Sequence, residues 1–455
     1  MGNPAKIFKA YDVRGVVPEE FDEATAEAAG AAFVRVTGAT EIVTAHDMRA
    51  SSVPLAAAFA RGATAQGADV IEAGLGSTDL LYYASGVLDL PGVMFTASHN
   101  PARYNGMKMC TAGARPIGQD TGLRDIRDLV IAGVPGFDGP RGSVRSRDLL
   151  QGYADHLNGL VDLGGIRPLK VVVDAGNGMG GHTVPAVLAG LPLTVVPLYF
   201  ELDGTFPHHE ANPIEPENLR DLQKAVLEHG ADLGLAFDGD ADRCFAVDER
   251  GEIVSPSAIT ALVAERELAK HPGANIVHNL ITSLAVPEVI RENGGTPIRT
   301  RVGHSFIKKT MADTGAVFGG EHSAHFYFRD FWFADSGMLA ALHVLAALGE
   351  QDGTLSALLK SYDRYAASGE INSEVADQEA AVARVRAVFA GRDGVSIDEL
   401  DGTTFTFSGA GSHPGWWFNL RASNTEPLLR LNAEATDATT MAALRDEVLA
   451  IVRGG

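Results

Sequence analysis

Three aspartates spaced two residues apart are the strongest chemical signal in the sequence. Asp238, Asp240 and Asp242 lie in the run Asp238-Gly239-Asp240-Ala241-Asp242-Arg243. In extended or looped backbone this spacing lets all three carboxylates face one centre, whereas a helix would spread them around its axis. Such a cluster repels itself unless a cation neutralises it, and oxygen ligands suit a hard ion. We therefore predict a Mg²⁺ site at these residues.

An EF-hand calcium loop and a purely structural acidic turn are the alternatives for these aspartates. The three residues fit EF-hand positions 1, 3 and 5, and Glu249 falls at position 12. Position 6 requires a glycine for the sharp turn, but the chain has Arg243 there. The flanking segments, LGLAF and CFAVD, are typical of strands rather than helices. Both features disfavour the EF-hand.

A serine in a turn of small residues offers a nucleophile. Ser98 lies in Thr96-Ala97-Ser98-His99-Asn100-Pro101, directly after a predicted strand at Gly92 to Thr96. A turn serine often bonds only its own backbone. With a Mg²⁺ site elsewhere in the chain, a nucleophilic or phosphorylated serine becomes plausible. The pair Asn105-Gly106 predicts a tight turn that returns Lys108 to the same place, where it would balance phosphate charge or move a proton.

Two further loops carry polar groups suited to a phosphosugar. Glu321 and Ser323, in Gly319-Gly320-Glu321-His322-Ser323-Ala324-His325, offer acceptors and donors for sugar hydroxyls. A transition-metal site held by His322 and His325 with Glu321, or a satisfied core turn, are the alternatives there. Arg421-Ala422-Ser423-Asn424-Thr425-Glu426-Pro427 combines a guanidinium with hydroxyls and turn N–H groups, a set suited to phosphate. A polar hairpin turn is the alternative.

A glycine-rich run indicates a rival chemistry. Gly176 to Gly181 follows the strand-like VVVD and matches the G-x-G-x-x-G pattern of dinucleotide sites. Such a site also needs an acidic residue about 20 positions further on, and Glu201 and Asp203 are only roughly placed. An NAD-dependent oxidoreductase stays as an alternative, but a sharp, closely packed turn is the favoured interpretation.

The elements that must position these loops alternate between short β-branched strands and Ala/Leu-rich helices, as in an α/β protein. We predict strands at Glu41–Ala45, Asp69–Ala73, Gly92–Thr96, Leu169–Asp174, Leu193–Leu198 and Asp232–Phe237, and helices at Val53–Gln66 and Pro216–His229. Candidate domain boundaries lie at 133–142, 248–256 and 361–372, which are rich in turn residues. The last region predicts a small α+β domain with strands at Thr403–Phe407, Trp416–Ala422 and Leu428–Glu434.

Composition and charge exclude several classes of protein. The chain has 455 residues, 37 basic and 58 acidic side chains, and a net charge of −21, which argues against nucleic-acid and anionic-membrane surfaces. Two cysteines, Cys110 and Cys244, form no disulfide framework, so a reducing cytoplasm is the expected setting. No apolar run reaches membrane-spanning length, and Leu339 to Leu348 is expected to be a core helix.

Taken in this order, the four loops resemble those of the α-D-phosphohexomutase family over essentially the whole chain, beginning with Phe8-Lys9-Ala10-Tyr11-Asp12-Val13-Arg14-Gly15. The resemblance implies three related α/β domains with mixed sheets, then a C-terminal α+β domain with a TATA-binding-protein-like fold. We place these domains at 1–150, 151–252, 253–365 and 366–455. The active site would lie in the central cleft where all four meet.

The resemblance also implies residue roles. Ser98 would be the phosphoserine, and Asp238, Asp240 and Asp242 would hold Mg²⁺ together with an oxygen of phosphorylated Ser98. Lys108, Arg243, His304 and Arg14 would be catalytic, with the general base left open between Lys108 and His304. The substrate would be bound by Tyr11, Asn100, Glu321, Ser323, Arg421, Ser423, Asn424 and Thr425.

Four positions depart from the family pattern. His322 and Ala324 replace the Met and the second Gly that are frequent in the sugar loop, which bears on sugar preference. Glu426 lies where a Thr is frequent, and its carboxylate would repel a phosphate unless it turns away. Arg301 replaces a common Lys just before Gly303-His304, which keeps the charge but changes its reach.

The implied activity is interconversion of hexose 1-phosphate and hexose 6-phosphate, with mannose and also glucose as the sugar, through phosphoserine and a 1,6-bisphosphate intermediate. Mg²⁺ would be the cofactor and hexose 1,6-bisphosphate the activator. The partners would be phosphosugars, with neither nucleic acid nor membrane, and the chain a monomer or homodimer. A phosphoglucosamine mutase, a Mg²⁺-dependent sugar phosphatase and a non-catalytic sugar-phosphate sensor stay as alternatives.

Overall fold

A computed structural model describes residues 4–408, 414–422 and 428–454. The first unit comprises α1 (Pro4–Ile7), β1 (Val13–Val16), α2 (Glu23–Thr37), β2 (Glu41–His46), α3 (Ser52–Ala65), β3 (Asp69–Leu75), α4 (Thr78–Leu88), β4 (Gly92–Phe95), β5 (Tyr104–Thr111), β6 (Arg115–Pro116), α5 (Leu123–Ala132) and β7 (Val144–Ser146), and its strands form one sheet. Its strand order is β1-β5-β4-β2-β3-β7, with β6 paired to β5.

The second and third sheets follow in chain order. The second unit comprises α6 (Leu150–Leu160), β8 (Leu169–Asp174), α7 (Gly180–Val187), β9 (Leu193–Leu198), α8 (Arg220–His229), β10 (Leu233–Phe237), β11 (Cys244–Asp248) and β12 (Ile253–Val254). The third comprises α9 (Pro256–Lys270), β13 (Asn275–Asn279), α10 (Ala285–Glu292), β14 (Thr296–Thr300), α11 (His304–Thr314), β15 (Phe318–Gly320), β16 (Phe326–Phe328), β17 (Ala334–Asp335), α12 (Gly337–Gly349) and α13 (Leu355–Leu359).

These three sheets share one strand topology. In each, three parallel strands are followed by an antiparallel one, in the orders β3-β2-β4-β5, β9-β8-β10-β11 and β14-β13-β15-β16. Central parallel strands are covered on both faces, which explains why β8 has the near-continuous apolar run LKVVVD. Three related α/β units with mixed sheets are therefore confirmed.

The fourth sheet is antiparallel throughout. Its elements are β18 (Ala366–Glu374), α14 (Gln378–Phe389), β19 (Val395–Asp398), β20 (Thr403–Ser408), β21 (Pro414–Ala422), β22 (Leu428–Ala435) and α15 (Ala438–Arg453). The strand order is β18-β22-β21-β20-β19. Asp377 and Asp437 cap the two helices by accepting hydrogen bonds from backbone N–H groups in their first turns. This α+β region agrees with the expectation for the end of the chain.

Buried side chains divide the molecule into a body and an appendage. One large cluster joins the first three units, and α12 lies wholly inside it, as expected for the Leu339 to Leu348 segment. The fourth unit has its own core around Phe389, Phe405 and Phe418. A small cluster of Leu280, Ile281 and Trp417 connects it to the third unit. Within the described ranges no helix combines the length and the apolar character needed to cross a bilayer.

The prediction of a tight turn at Asn105-Gly106 was wrong. These residues are part of β5, where Asn105 pairs with Gly15 and Gly106 with Arg14 of β1. Pairing with a sequence-distant strand overrides the local turn preference of Asn-Gly. The candidate boundary at 361–372 also contains the start of β18, an edge strand whose exposed residues hide it from a hydrophobicity pattern.

Candidate active site

The three predicted loops of the body occupy the same structural position. Each connects the third parallel strand of its sheet to the antiparallel fourth strand: 96–103 between β4 and β5, 238–243 between β10 and β11, and 321–325 between β15 and β16. The three sheets meet so that these connections converge. Ser98 therefore lies beside the aspartate loop, and the aspartate loop lies beside His325.

The aspartate loop forms a buried pocket of oxygen atoms. Asp238, Asp240 and Asp242 each place one carboxylate oxygen within 4.8 Å of the other two, and all three residues are buried. Among the described residues, no group donates a hydrogen bond to Oδ1 of Asp240 or of Asp242. Burial of such oxygens without donors is costly, so these residues fit a hard divalent cation. Because the loop lies between two strands, the EF-hand alternative is wrong.

Two cations already lie against the aspartates. Lys108 Nζ lies 2.6 Å from Asp240 Oδ2 and 2.5 Å from Asp242 Oδ2, and Arg243 Nε donates to Asp238 Oδ2 at 2.9 Å. Burial raises the pKa of Asp240, but Lys108 outweighs it and holds that pKa below its usual range. Burial and then Asp240 raise the pKa of Asp242 to about 7. Three carboxylates against two cations leave a negative pocket that one more cation would complete.

Ser98 faces this pocket. Its hydroxyl donates to Asp238 Oδ2 at 2.9 Å and lies 3.2 Å from His99 Nδ1, and its backbone has a left-handed φ of 50°. Gly239 follows the first aspartate, and a Cβ there would lie only 2.4 Å from the Ser98 carbonyl oxygen. The serine loop and the aspartate loop therefore touch backbone to backbone. Phosphate on Ser98 Oγ would place oxygens beside the carboxylates.

The glycine-rich run supports the aspartate loop from the other side. The backbone N–H of Met179 donates to the Gly239 carbonyl at 2.9 Å, and those of Asn177 and Gly178 donate to Tyr199 and Ala175. These N–H groups are therefore already engaged, whereas a dinucleotide site would leave them for pyrophosphate. The closely packed turn expected at this run is what the structure contains.

The N-terminal candidates Tyr11 and Arg14 contact other candidate site residues. Arg14 donates to Asn100 Oδ1 at 2.5 Å and to Asp12 Oδ2 at 2.5 Å. The ring of Tyr11 packs edge-on against His304, with centroids 4.9 Å apart. His304 begins α11, and burial followed by the ammonium of Lys308 lowers its pKa to about 3. Its imidazole is therefore neutral, while Lys108 beside two carboxylates has a raised pKa.

The third loop presents Glu321 and Ser323. Glu321 is buried, and its carboxylate accepts from the Gly303 backbone N–H at 3.0 Å and from the Tyr327 hydroxyl at 2.6 Å. The hydroxyl of Ser323 lies 3.0 Å from His325 Nδ1, and His325 Nε2 lies 3.6 Å from Asp242 Oδ1. His325 thus connects the sugar loop to the aspartate loop. The sequence interpretation included it only in the transition-metal alternative.

The two departures in the third loop have different surroundings. Ala324 is buried with a left-handed φ of 63°, so the missing glycine is tolerated in a strained conformation. His322 lines a cavity of about 350 Å³ shared with Trp417 and Glu434 of the fourth unit. Among the described residues, potential ligand groups meet at the three aspartates and at Asp242, His325 and Asp335, but not at Glu321, His322 and His325 together. The transition-metal alternative for that trio is therefore not supported.

The predicted phosphate loop is only partly described. Arg421 lies near the end of β21 and pairs in register with Arg430 of β22, so two arginines flank the loop. Ser423, Asn424, Thr425 and Glu426 lie outside the described residues. The fourth unit is attached to the third by Glu434, which accepts from the Leu284 backbone N–H at 2.9 Å and from Trp417 Nε1 at 2.7 Å. A second contact joins Asp401 Oδ2 to the Val302 N–H at 3.1 Å, beside His304.

A buried carboxylate joins the three units behind the site. Asp79, in the first turn of α4, accepts hydrogen bonds from Tyr153 of α6 at 2.7 Å and from Ser336, the N-cap of α12, at 2.6 Å. The preceding residue, Thr78, donates its hydroxyl to Asp240 Oδ2 at 2.5 Å. Asp79 therefore helps to hold α4, whose Thr78 contacts the aspartate loop, against α6 and α12, although no motif in the sequence distinguishes it.

Asp79 predicts a pH-dependent stability. Burial raises its pKa from 3.8 to about 6, so between these values the folded state keeps a proton that the unfolded state releases. The contribution of Asp79 to the free energy of unfolding therefore falls as pH rises, by about 3 kcal/mol over about two pKa units. We expect Asp79→Asn, which cannot titrate, to gain melting temperature relative to the wild type between about pH 4 and pH 7 in calorimetric scans. A constant difference between the two proteins would contradict this, and Asp125→Asn on the exposed surface of α5 is the control.

Comparison with known proteins agrees with this arrangement. Family models of phosphoglucomutase/phosphomannomutase match alpha/beta/alpha domain I at residues 5–132, domain II at 151–251, domain III at 255–365 and the C-terminal domain at 370–451. A phosphomannomutase of Salmonella montevideo is 43% identical over 462 residues, covering 99% of each chain. A protein of Xanthomonas campestris pv. campestris named phosphohexose mutases is 42% identical over 450 residues, covering 98% of this chain and 99% of its own. A phosphoglucomutase/phosphomannomutase family protein of Burkholderia thailandensis has a similar structure, with a TM-score of 0.88, 32% identity, and coverage of 100% of this chain and 99% of its own. With all four domain models matched in order and relatives aligned from end to end, the chain belongs to the phosphoglucomutase/phosphomannomutase family.

Proposed function

We propose that the protein is a phosphohexomutase that interconverts hexose 1-phosphate and hexose 6-phosphate, with mannose as the main sugar and glucose as a second. The observation that carries this proposal is the contact between the Ser98 hydroxyl and Asp238, 2.9 Å apart at the edge of the buried three-aspartate pocket. A serine placed there can carry a phosphoryl group beside a divalent cation. In this proposal 1–150, 151–252, 253–365 and 366–455 act as four domains around one cleft.

The pocket supplies charge neutralisation rather than covalent activation, as phosphoryl transfer requires. Asp238, Asp240 and Asp242 would hold Mg²⁺ together with an oxygen of phosphorylated Ser98. Bound there, Mg²⁺ would supply positive charge to stabilise the serine oxygen as a leaving group. Arg243 and Lys108 lie beside the same carboxylates and would neutralise the transferring phosphoryl group.

In the first transfer, a phosphosugar enters with its phosphate on Arg421 and on Ser423, Asn424 and Thr425. Its free hydroxyl attacks the phosphorus of phosphorylated Ser98, the Ser98 Oγ–P bond breaks, and a hexose 1,6-bisphosphate forms. The hydroxyl proton needs an acceptor. His304 and Lys108 both stay candidates. The imidazole of His304 is neutral, but a pKa of about 3 makes it a weak base, and the ammonium of Lys108 is held by two carboxylates. Tyr11, Arg14 and Asn100 would line the path at the entrance.

In the second transfer, the bisphosphate turns end for end, and Ser98 takes back the phosphoryl group from the other end. One set of sugar contacts must then serve two orientations. Glu321 and Ser323 are the candidates for hydroxyls O3 and O4, which lie opposite the C1 and C6 ends. Hydrogen bonds from Gly303 and Tyr327 fix the carboxylate of Glu321. Free hexose 1,6-bisphosphate would act as activator by phosphorylating Ser98.

The charge distribution fits an anionic small-molecule substrate. Five basic residues would provide positive charge to the cleft of a chain with a net charge of −21: Arg14, Lys108, Arg243, Lys308 and Arg421. The first four each contact a carboxylate, so we expect bound Mg²⁺ to be needed for a net attraction of phosphate. One chain carries every residue named above, so a monomer suffices and a homodimer is not required. The two cysteines are free and buried, which suits a reducing cytoplasm.

Phosphorus-31 NMR tests the proposal directly. The protein is mixed with Mg²⁺, mannose 1-phosphate and a trace of glucose 1,6-bisphosphate, and we expect the mannose 6-phosphate signal to appear. Release of inorganic phosphate instead would make the protein a phosphatase. Conversion of glucosamine phosphates alone would make it a phosphoglucosamine mutase. No reaction with mannose, glucose or glucosamine phosphates would favour a sugar-phosphate sensor.

The sugar contacts predict dual specificity. If Glu321 and Ser323 read O3 and O4 but not O2, the C2 epimers mannose and glucose should both react. We expect their kcat/KM values to differ by less than about 10³, the equivalent of about 4 kcal/mol in transition-state binding. Coupled assays with mannose 1-phosphate and glucose 1-phosphate measure the ratio. A larger ratio would mean that a further group reads O2.

A further inference from the structure

Arg49 is an arginine whose donors are all used by one loop and one carboxylate. It follows β2 and is 2% exposed. Nη1 donates to the carbonyls of Pro101 at 2.9 Å and Tyr104 at 3.0 Å, and Nη2 donates to those of Ser98 at 2.9 Å and Asn100 at 2.7 Å. Nε donates to Asp47 at 3.2 Å. The five N–H groups of the guanidinium therefore all have acceptors, and four of these are carbonyls of residues 98–104, in the Ser98 loop and at the start of β5.

We propose that Arg49 is a positioning residue for phosphoryl transfer, because it donates hydrogen bonds to four carbonyls within residues 98–104 and so fixes the direction of the Ser98 hydroxyl. This proposal rests on the function proposed above. With no donor left over, Arg49 contacts neither the phosphoryl group nor the sugar. It acts through the backbone of the loop.

The conformation of Ser98 shows why the loop needs these hydrogen bonds from Arg49. A φ of 50° is unfavourable for a residue with a Cβ and persists only where the surroundings enforce it. The Ser98 carbonyl bonded to Arg49 is the same oxygen against which Gly239 packs. Arg49 therefore holds the serine loop at the point where it meets the aspartate loop.

Residues of the second unit cover Arg49. The ring of Phe206 lies 5.0 Å from the guanidinium carbon, and a Cβ on Gly204 would lie 2.7 Å from Arg49 Cα. Asp47, bonded to Nε, also accepts from the Ser52 hydroxyl at 2.6 Å. The positive charge is thus balanced by one buried carboxylate and shielded from water, and its geometry is set from all sides.

Arg49→Lys is the test variant, because an ammonium has three donors and cannot reach four carbonyls and a carboxylate. We expect kcat for mannose 1-phosphate to fall about 100-fold, since a small misplacement of a reacting group costs about this much. KM should stay within about threefold, since Arg49 does not contact substrate. Hydrogen exchange of the amides of Ser98, Asn100 and Tyr104 should accelerate at least about tenfold.

Arg167→Lys is the matched control. Arg167 also donates to backbone carbonyls, those of Gln351 and Gly353, and to one carboxylate, Asp232, but lies away from the cleft. The Arg167→Lys variant should leave kcat and the amide hydrogen exchange of residues 98–104 unchanged. The proposal is overturned if Arg49→Lys keeps kcat within about threefold, or if its activity falls only as far as its folded fraction.

The wild-type protein gives a measurement that depends on neither variant folding nor mutase activity. With ¹⁵N-labelled arginine, a guanidinium bonded at all five N–H groups should show four separate, slowly exchanging Hη signals. Averaged signals for Arg49 would overturn the proposal. If the wild type were inactive but showed separate Hη signals, the proposed function would be wrong, and the hydrogen bonds of Arg49 to the Ser98 loop would still be established.

Discussion

Ser98→Ala should lower the rate of hexose phosphate isomerisation by at least about 10⁴-fold, because it removes the atom that we propose carries the phosphoryl group between the two transfers. The measurement is ³¹P NMR of mannose 1-phosphate conversion, together with intact mass after incubation with glucose 1,6-bisphosphate. The wild type should gain the mass of one phosphoryl group and the variant none. Water cannot replace the serine, because a mutase must return the phosphoryl group to the sugar.

The variant should fold normally, which makes this result interpretable. Asp238 Oδ2 loses the Ser98 hydroxyl but keeps Arg243 Nε at 2.9 Å, so the cost should be about 1 kcal/mol. Ser143→Ala is the control, since Ser143 is an exposed serine that bonds Asp69 on the surface. It should retain full activity and the phosphoryl mass. Isomerisation by Ser98→Ala above about one per cent of the wild-type rate would move the phosphoryl carrier to another residue.

Individual loops could be predicted from the sequence because their chemistry is local. Three alternating aspartates in a loop between strands favour a cation site from their spacing alone. Leu169–Asp174 and Leu193–Leu198 were predicted with the strand bounds that the structure has. The common position of the three loops was not predictable, since it depends on strand order in three separate sheets. The prediction of a turn at Asn105-Gly106 was wrong for the same reason, since the partner strand β1 is about ninety residues earlier in the chain.

Residues that act through the backbone left no signal in the sequence. Arg49, in His46-Asp47-Met48-Arg49-Ala50-Ser51, looks like any polar turn after a strand, and only the folded loop brings four carbonyls to its guanidinium. Asp79 is likewise an ordinary first-turn aspartate until α6 and α12 are placed against it. His325 had a signal in its spacing from Glu321, but its contact with Asp242 depends on how two sheets meet.

Gly239→Ala should lower kcat about 100-fold and destabilise the protein by about 1–3 kcal/mol, although it adds one methyl group. The new Cβ would lie 2.4 Å from the Ser98 carbonyl oxygen. Neither backbone can retreat, because Arg49 holds that carbonyl at 2.9 Å and Met179 N–H holds the Gly239 carbonyl at 2.9 Å. The serine and aspartate loops must therefore separate, and the Ser98 oxygen moves away from the carboxylates. Steady-state kinetics and calorimetric melting measure the two effects.

Gly159→Ala separates this contact from the general effect of replacing a glycine. Gly159 lies in α6, and a Cβ at this position would have nothing within 4 Å, so alanine there should stabilise the helix by about 0.5–1 kcal/mol and leave kcat unchanged. If Gly239→Ala kept kcat within a few-fold of the wild type, the two loops would have room to move apart without loss of function. Ser98 would then not need to touch the aspartate pocket in the resting protein. Loss of activity at Gly239 with gain of stability at Gly159 would instead locate the phosphoryl carrier at the contact between these two loops.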